Sequence, residues 1–480
     1  MTTALVSNEK SNGKARLIPA TADTLNAWRH VEYDILRIIA GWGRQACEWE
    51  DKLAVCYHVW LQAEIVNGLR ERLEMFPPHK PELPVAEKYE ELANTVLVAP
   101  NFPSAMSAVH GQINPALARA YQYYLASSHP VHDKPTHDLL SYILDLKKKQ
   151  FEWFVRFEAS NSGCIGGQVE YSDAVNAGIA TLKSFKEALP VAAKPARPAG
   201  LAVDFLMPET PGRVPHWNDA PNIMPILDLQ FSRSVEARRL FFMIGYFWEM
   251  GVAESQLRWI YYADFMPWGF IYEEARHMWD ESRHGNSGLS RLRDFGLDIK
   301  DIGYSSYGAS GDGFLPPMTP TDVYNAFYSV TQVAERGFFK TKTHCFEDFA
   351  AGNDPASAEM MQYDIIDETM HAEYGRKWLT EMAARAGVDE DWLKRGAAER
   401  EARQQDADDR IASYRKLMEQ SDIDVKVGDR AKIDVVPSGN VSTLSDPQAW
   451  DFYDKLIKIL REQCPLSNAE TAPIRPNLPM

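Results

Sequence analysis

Two short stretches of the chain carry the residue types of a metal site. Residues 280–284 and residues 367–371 both read Asp-Glu-x-x-His, and both lie in segments with a helical pattern of apolar residues. Positions i and i+3 share one face of a helix, so each Glu and its His can bind the same ion. Carboxylate and imidazole ligands without thiolates suit iron or manganese better than structural zinc. The two motifs therefore predict a dinuclear non-haem site with two iron ions, or with manganese in their place.

A dinuclear site in a helical bundle needs two more carboxylates, one from each of the remaining helices. In an antiparallel hairpin, residues at the same height lie about equally far from the turn. Counting back through the first turn leads from Glu281 to Glu249. Counting back through the second turn leads from Glu368 to Glu335, over almost the same stretch of chain. The predicted ligands are Glu249, Glu281, His284, Glu335, Glu368 and His371.

An aspartate directly precedes each motif glutamate. A carboxylate that accepts a hydrogen bond from the far nitrogen of a ligating histidine fixes the ring and raises its basicity. Neither aspartate reaches the histidine of its own motif easily. We therefore expect crossed pairs, with Asp280 bound to His371 and Asp367 bound to His284.

Three other polar residues compete for a role at the site. Glu254 lies in the same apolar stretch as Glu249 and is its alternative as a ligand. His277 and Glu274 share the helical face of Glu281. They could serve as an extra ligand, as a proton shuttle or as buried partners of the ligands.

Aromatic residues near the predicted ligands favour an enclosed apolar pocket. Two tyrosines precede the predicted ligands at helical spacings and either contact the pocket or pack in the core. Two phenylalanines one turn beyond Glu335 are candidates for its wall. A lysine two turns beyond Glu335 either caps its mouth or is solvated. These residues are Tyr246, Tyr328, Phe338, Phe339 and Lys342.

Helical patterning extends over most of the chain, so the predicted fold is all-α. Residues 190–222 are rich in Pro, Ala and Gly, which disfavours regular structure and indicates a linker. The predicted segments are a flexible N-terminus (1–20), an N-terminal helical domain (21–189), this linker, an antiparallel four-helix bundle with the metal site (223–386) and a short C-terminal helical extension (387–480). Within the extension, residues 423–437 alternate like a small β-hairpin.

Composition excludes several classes of function. The net charge of −16 argues against a nucleic acid as the main partner. The sequence contains no run of apolar residues long enough for a membrane span and no apolar N-terminal leader, so neither a membrane span nor a signal peptide is predicted. Five scattered cysteines form no Cys-x-x-Cys pair, which favours a reducing cytoplasm.

The two motifs and their matched glutamates resemble the ferritin-like di-iron carboxylate superfamily over about residues 231–386. The resemblance is to its oxygen-activating members, the ribonucleotide reductase small subunits and the bacterial multicomponent monooxygenase hydroxylases. It implies an antiparallel four-helix bundle, two iron ions and crossed Asp–His partners. The N-terminal half departs from it. That half is expected to be a second bundle that binds no metal, a substrate channel or an oligomerisation domain.

The expected function is that of an O2-dependent di-iron oxidase or oxygenase. It would act on a small organic substrate by hydroxylation, N-oxygenation, desaturation or C–C cleavage. Because no flavin or nicotinamide fingerprint is present, we expect electrons from a separate reductase or ferredoxin, and we expect a homodimer. The alternatives are a metal-handling protein (ferroxidase or di-manganese peroxide removal) and a ferritin-like scaffold with residual metal.

Overall fold

A computed structural model of the chain describes residues 18–76, 87–181, 205–214, 221, 223–230, 235–303, 317–351, 354–389, 391–402, 405 and 446–463. The chain divides into two compact units, residues 1–210 and 211–480. All regular structure in the described ranges is helical, which confirms the all-α prediction. The predicted hairpin at 423–437 and most of the predicted linker lie outside these ranges. Residues 18–20, predicted to be flexible, begin the first helix.

The N-terminal unit is built from seven described α-helices and one π-helical segment. They are α1 (Ile18–Gly43), α2 (Trp49–Glu74), α3 (Glu87–Leu97), α4 (Phe102–Met106), a π-helical segment (Ser107–Ile113), α5 (Asn114–Ser127), α6 (Lys134–Gly166) and α7 (Val169–Thr181). Its core is formed mainly where α1, α2, α5 and α6 bury their apolar faces.

The C-terminal unit contains the two Asp-Glu-x-x-His motifs. Its helices are α8 (Met224–Gln230), α9 (Val235–Tyr262), α10 (Trp268–Asp294), α11 (Ile299–Ile302), α12 (Pro320–Tyr328), a π-helical segment (Ser329–Ala334), α13 (Glu335–Ala351) and α14 (Pro355–Ala386). Residues 392–402 are also helical, and a further helix spans Pro447–Gln463. No described helix is long and apolar enough to cross a membrane.

Two antiparallel hairpins form the centre of the C-terminal unit. Helices α9 and α10 approach closely where α10 carries glycine: a Cβ on Gly288 would lie 2.4 Å from the backbone nitrogen of Phe247. One turn away, a Cβ on Gly285 would lie 3.0 Å from the nitrogen of Met250, so the two helices run in opposite directions. Helices α13 and α14 form the second hairpin, which also packs against α10. The four helices that carry the predicted ligands, α9, α10, α13 and α14, are therefore brought together as the sequence predicts.

The third helix of this bundle differs from the prediction. The sequence predicts one continuous helix from Thr321 to Phe349, whereas a π-helical segment separates α12 from α13. A π-helical segment widens the helix and shifts the direction of the side chains that follow. Glu335 is the first residue after it. The N-terminal unit has the same arrangement, since Asn114 directly follows its own π-helical segment.

Both units fix the start of their last long bundle helix with the same contacts. In the N-terminal unit, Arg72 of α2 binds the Oδ1 of Asp133 at 3.0 Å and the Oγ1 of Thr136 at 2.8 Å. The C-terminal unit repeats this from α10 to α14. There the residues are Arg291, Asp354 and Ser357, with distances of 3.0 and 3.3 Å.

Candidate metal centre

One group of potential ligands comes from α10, α13 and α14. His277, Glu281, Glu335 and His371 are all buried, and each offers a ligand atom within 4.8 Å of the others. The Nε2 of His277 lies 2.8 Å from the Oε1 of Glu335 and 3.4 Å from the Oε1 of Glu281. The Nδ1 of His371 lies 3.4 and 3.5 Å from the Oε1 atoms of Glu281 and Glu335. We call these four residues the His371 group.

A second group lies beside the first and shares Glu281 with it. The Nδ1 of His284 lies 3.3 Å from the Oε2 of Glu249 and 3.6 Å from the Oδ1 of Asp364. Glu249, Glu281 and His284 satisfy the same 4.8 Å limit, as do His284, Asp364 and Glu368. We call Glu249, Glu281, His284, Asp364 and Glu368 the His284 group. All six predicted ligands therefore lie in two adjoining groups.

The far nitrogens of both motif histidines face the aspartates of the opposite motif. The Nε2 of His371 lies 3.3 Å from Asp280, and the Nε2 of His284 lies 3.2 Å from Asp367. This is the crossed arrangement that the sequence predicts. Arg283 donates to both Asp280 and Asp367 and so links the two pairs. The rings are thereby oriented with Nδ1 toward the ligand groups.

The donor set fits positively charged ions. Several inward-facing atoms make no hydrogen bond with the described residues: the Oε2 of Glu249, the Oε1 of Glu281, the Nδ1 of His284, the Oε2 of Glu335, the Oε2 of Glu368 and the Nδ1 of His371. With the histidines neutral, as metal ligands are, five carboxylates converge here against one ammonium, that of Lys342, which leaves an excess of four negative charges. Two divalent cations would balance this excess. Buried charge without a partner is costly, so the cluster calls for such ions.

Neighbouring carboxylates strongly perturb the histidines. Burial and the charge of His277 act to lower the pKa of His371, yet the nearby carboxylates of Asp280, Glu281 and Glu335 raise it to about 10. The pKa of His284 also lies well above its ordinary value, because Asp367 and Glu249 outweigh its burial. Burial raises the pKa of Glu249 to about 7 in spite of the opposing effect of the nearby His284 ring. The cluster thus attracts protons in the same way that it would attract metal ions.

An apolar cavity of about 140 Å³ adjoins the ligand groups. Its wall contains four of the predicted ligands, Glu249, Glu281, Glu335 and Glu368, together with Phe241, Phe242, Tyr246, Trp248, Phe338 and Lys342. Gly245 also lines it, and a Cβ added there would meet nothing within 4 Å. Phe338 is 36% exposed and so lies where the cavity approaches solvent.

Two of the competing polar residues take no part as ligands. Glu254 forms a two-pronged ion pair with Arg213, at 2.6 and 2.5 Å, and belongs to neither ligand group. The sequence did not indicate this partner, which lies in the segment before α8. Glu274 contacts the Nδ1 of His277 at 3.3 Å, on the side of the ring away from Glu335. It therefore orients His277, and His277 itself joins the His371 group.

The predicted pocket residues divide into two sets. Tyr246, Phe338 and Lys342 line the cavity, whereas Tyr328 and Phe339 do not. Tyr328 is buried against Tyr324 and Arg395 because the π-helical segment turns it away from the line of Glu335. The sequence led us to expect Lys342 either at the mouth of the cavity or in solvent, and it lies in neither place. It is 5% exposed and lies inside the cluster.

Sequence reasoning missed Asp364. It lies four positions before Glu368 on α14, just as His277 lies four positions before Glu281 on α10. Both helices therefore carry the same spacing of three polar residues on one face, i, i+4 and i+7. Extending the second motif backward by one turn, as His277 extends the first, would have identified Asp364.

The N-terminal unit contains a buried polar cluster of different chemistry. Lys147 donates to the Oε2 of Glu32 at 2.9 Å and to the Oδ1 of Asn114 at 2.7 Å. Tyr121 and Gln62 also donate to the Glu32 carboxylate. Among the described residues of this unit, no three His, Cys, Asp or Glu side chains lie close enough to hold an ion. We call this set the Lys147 cluster.

The Lys147 cluster occupies positions that match the metal centre. In both units, the same length of chain separates the first residue after the π-helical segment from the central residue of the last bundle helix. These residues are 114 and 147 in the N-terminal unit and 335 and 368 in the C-terminal unit. A nearly constant offset along the chain pairs Glu32 with Glu249, His58 with His277, Gln62 with Glu281, Asn114 with Glu335, Tyr121 with Lys342, Lys147 with Glu368 and Gln150 with His371. The two units thus place different residues at one set of positions.

Comparison with protein-family models, with curated proteins and with solved structures finds no match to the chain. The geometry of the metal centre and of the cavity is therefore the basis on which a function is proposed.

Proposed function

We propose that the protein is an O2-dependent oxidase or oxygenase with two iron ions in a ferritin-like bundle. The observation that carries the proposal is the pair of adjoining ligand groups that share Glu281 beneath an apolar cavity. Histidine and carboxylate ligands suit iron and manganese, and the ligand groups contain no cysteine. When bound and reduced, an iron pair would supply the activation of O2.

The residues of the chain divide the remaining tasks. Asp280 and Asp367 hold the rings of His371 and His284 in a fixed orientation. Glu249 is the ligand that lies nearest the open side, since its side chain is 21% exposed. The aromatic wall keeps water away from the reacting part of the substrate.

The cavity supports a substrate with a small apolar reacting group. An apolar cavity of about 150 Å³ is known to hold benzene. The cavity of about 140 Å³ beside the ligands therefore accommodates a group close to one aromatic ring. Five aromatic side chains contribute to its wall, and such side chains pack well against rings. We therefore propose a substrate that places a ring, or an aliphatic group of similar volume, against Glu249 and Glu335.

Metal analysis with a matched pair of variants tests the proposal. Protein expressed with ⁵⁷Fe should contain two iron ions per chain, and its Mössbauer spectrum should show a coupled high-spin ferric pair. Glu249→Ala should lower the iron content, whereas Glu254→Ala on the same helix should retain it because Glu254 binds Arg213. Protein that stays free of iron after this expression would contradict the proposal.

Oxygen consumption distinguishes the reaction class. The reduced protein should consume O2 and convert small aromatic or cyclic compounds to oxidised products that mass spectrometry detects. Repeated turnover of Fe(II) without any organic product would favour a ferroxidase instead. Iron binding without O2 consumption in the presence of a reductant would favour a scaffold.

A further inference from the structure

Lys342 is a buried cation inside the metal centre. Its ammonium lies 2.8 Å from the Oε1 of Glu368 and 2.8 Å from the Oδ2 of Asp364. The side chain is 6% exposed, and the two carboxylates are 4% and 2% exposed. Its other described neighbour is the ring of Tyr246, whose centroid lies 5.4 Å from the ammonium. Lys342 therefore neutralises part of the charge of the His284 group.

The His371 group has a different kind of partner. Its two carboxylates, Glu281 and Glu335, contact the rings of His277 and His371. A histidine can present a nitrogen lone pair to an ion and become a ligand itself. A lysine ammonium has no lone pair and can only compete with the ion. An ion that binds at the His371 group therefore gains His277 and His371 as ligands. An ion that binds at the His284 group must instead displace the ammonium of Lys342.

The N-terminal unit shows what an ammonium does in this fold. Among the described ion pairs, Lys147 is the cation that contacts Glu32 there, and the surrounding amides and Tyr121 add hydrogen bonds. Lys147 stands at the position that matches Glu368, the residue that Lys342 contacts in the C-terminal unit. A buried lysine can therefore satisfy a carboxylate at the centre of this bundle without an ion.

We propose that Lys342 makes the two ligand groups unequal, so that an ion binds first at the His371 group and a second binds at the His284 group only when Lys342 withdraws. Asp364 is a ligand of this second ion and the residue that holds Lys342 in its absence. The proposal rests on the proposed function, because it requires the centre to bind two metal ions. Lys342 also lines the cavity, which gives its side chain room to withdraw.

Anaerobic Mn(II) titration at one fixed pH, followed by electron paramagnetic resonance, tests the order of binding. With one equivalent, the wild-type protein should show an isolated bound ion. The signal of a spin-coupled pair should appear only with further Mn(II), and the second dissociation constant should exceed the first by about 10-fold or more. Coupled pairs in half of the chains at one equivalent would overturn the proposal. Protein that binds no Mn(II) and no Fe(II) would instead remove the proposed function, and this inference with it.

Variants of Lys342 and Asp364, with a control at Lys377, assign the effect to Lys342. Lys342→Met should strengthen binding of the second ion by about 10- to 100-fold and leave the first unchanged. Lys342→Arg, which keeps the charge, and Lys377→Met, which removes an exposed lysine bound to Glu273, should both retain the wild-type difference. Asp364→Asn should weaken only the second ion. Equal effects of Asp364→Asn on both ions would contradict the assignment, and the wild-type titration decides the order even where a variant does not fold.

Discussion

The two units arrange matching positions around opposite kinds of charge balance. The Lys147 cluster has one carboxylate, that of Glu32, against one ammonium, and amide side chains fill the remaining positions. The metal centre has five carboxylates against one ammonium. The first cluster is complete with its own hydrogen bonds, whereas the second leaves carboxylate oxygens and ring nitrogens without them. The difference shows that this arrangement of helices accommodates either set of side chains. The charge of those side chains decides whether an ion is needed.

Buried histidines at matching positions of the two units also differ, in their pKa. In the N-terminal unit, burial alone lowers the pKa of His58 to about 3, so its ring is neutral. At the matching position of the C-terminal unit, Glu335 and Glu274 raise the pKa of His277 well above its ordinary value despite equal burial. One residue type at one position is therefore structural in the first unit and a candidate ligand in the second.

A third matched position bears on the cavity beside the metal centre. Trp28 of α1 is 1% exposed and packs edge-on against Tyr121 and Tyr124. It lies four positions before Glu32, as Gly245 lies four positions before Glu249. The glycine leaves open the space that an indole fills in the other unit. The small side chain at position 245 thus leaves room for the cavity next to the ligands.

The largest expected effect separates the two units by metal content. Glu281→Ala should weaken binding of both ions by more than about 100-fold, since Glu281 belongs to both ligand groups. Gln62→Ala, at the matching position of the N-terminal unit, should leave the metal content unchanged. Elemental analysis of both purified variants, with circular dichroism to check folding, measures the difference. Equal metal loss in the two variants would mean that the N-terminal cluster also serves the metal.

Lys147→Met should destabilise the protein without changing its metal content. The substitution leaves Glu32 buried without a cation, at a cost of about 3–5 kcal/mol. Lys134→Met is the control in the same unit, because the Lys134–Asp138 pair is exposed and should contribute less than about 1 kcal/mol. Chemical denaturation followed by circular dichroism measures both. A Lys147→Met protein as stable as wild type would show that Lys147 is not the essential counter-ion of Glu32.

The sequence predicted the helices of the metal bundle and the six residues that meet at its centre because both follow from periodicity. Side chains at i and i+3 share a helix face, and hairpin symmetry led from Glu281 and Glu368 to their partners. The π-helical segment before Glu335 was not predictable in this way, since an inserted residue interrupts that periodicity. Hairpin counting still found Glu335, because it depends on height along the bundle rather than on the face of one helix.

Contacts between distant segments were harder to predict than ligands. The partner of Glu254 is Arg213, in a stretch that has no helical pattern. The role of Lys342 depends on Asp364, a residue of the next helix. The match between the two units was not visible either, because five of the seven matched cluster positions differ in residue type. A change of residue type hides such a repeat, whereas the spacing of the positions along the chain preserves it.

Gly245→Trp would give the metal centre the side chain of its N-terminal counterpart. We expect the indole to fill the cavity and weaken binding of a ring-sized substrate by about 1–3 kcal/mol, while the iron content stays at the wild-type level. Gly337→Trp on α13 is the control, since Gly337 is exposed and does not line the cavity. Product formation over a range of substrate sizes measures the change. Unaltered preference for large and small substrates would place the substrate outside this cavity.

The last expected effect, at most about tenfold for each pH unit, concerns protons. Because the pKa of His371 is raised to about 10, its ring carries a proton at neutral pH before metal binds, and that proton must leave when Nδ1 becomes a ligand. Metal affinity should therefore rise by up to about tenfold per pH unit between about pH 6 and about pH 9, with release of protons. His58, with a pKa of about 3, stays neutral over this range, so His58→Gln should leave the slope unchanged. Calorimetry in buffers of different ionisation enthalpy measures the protons released, and a pH-independent affinity would mean that the ligand histidines are already neutral in the metal-free protein.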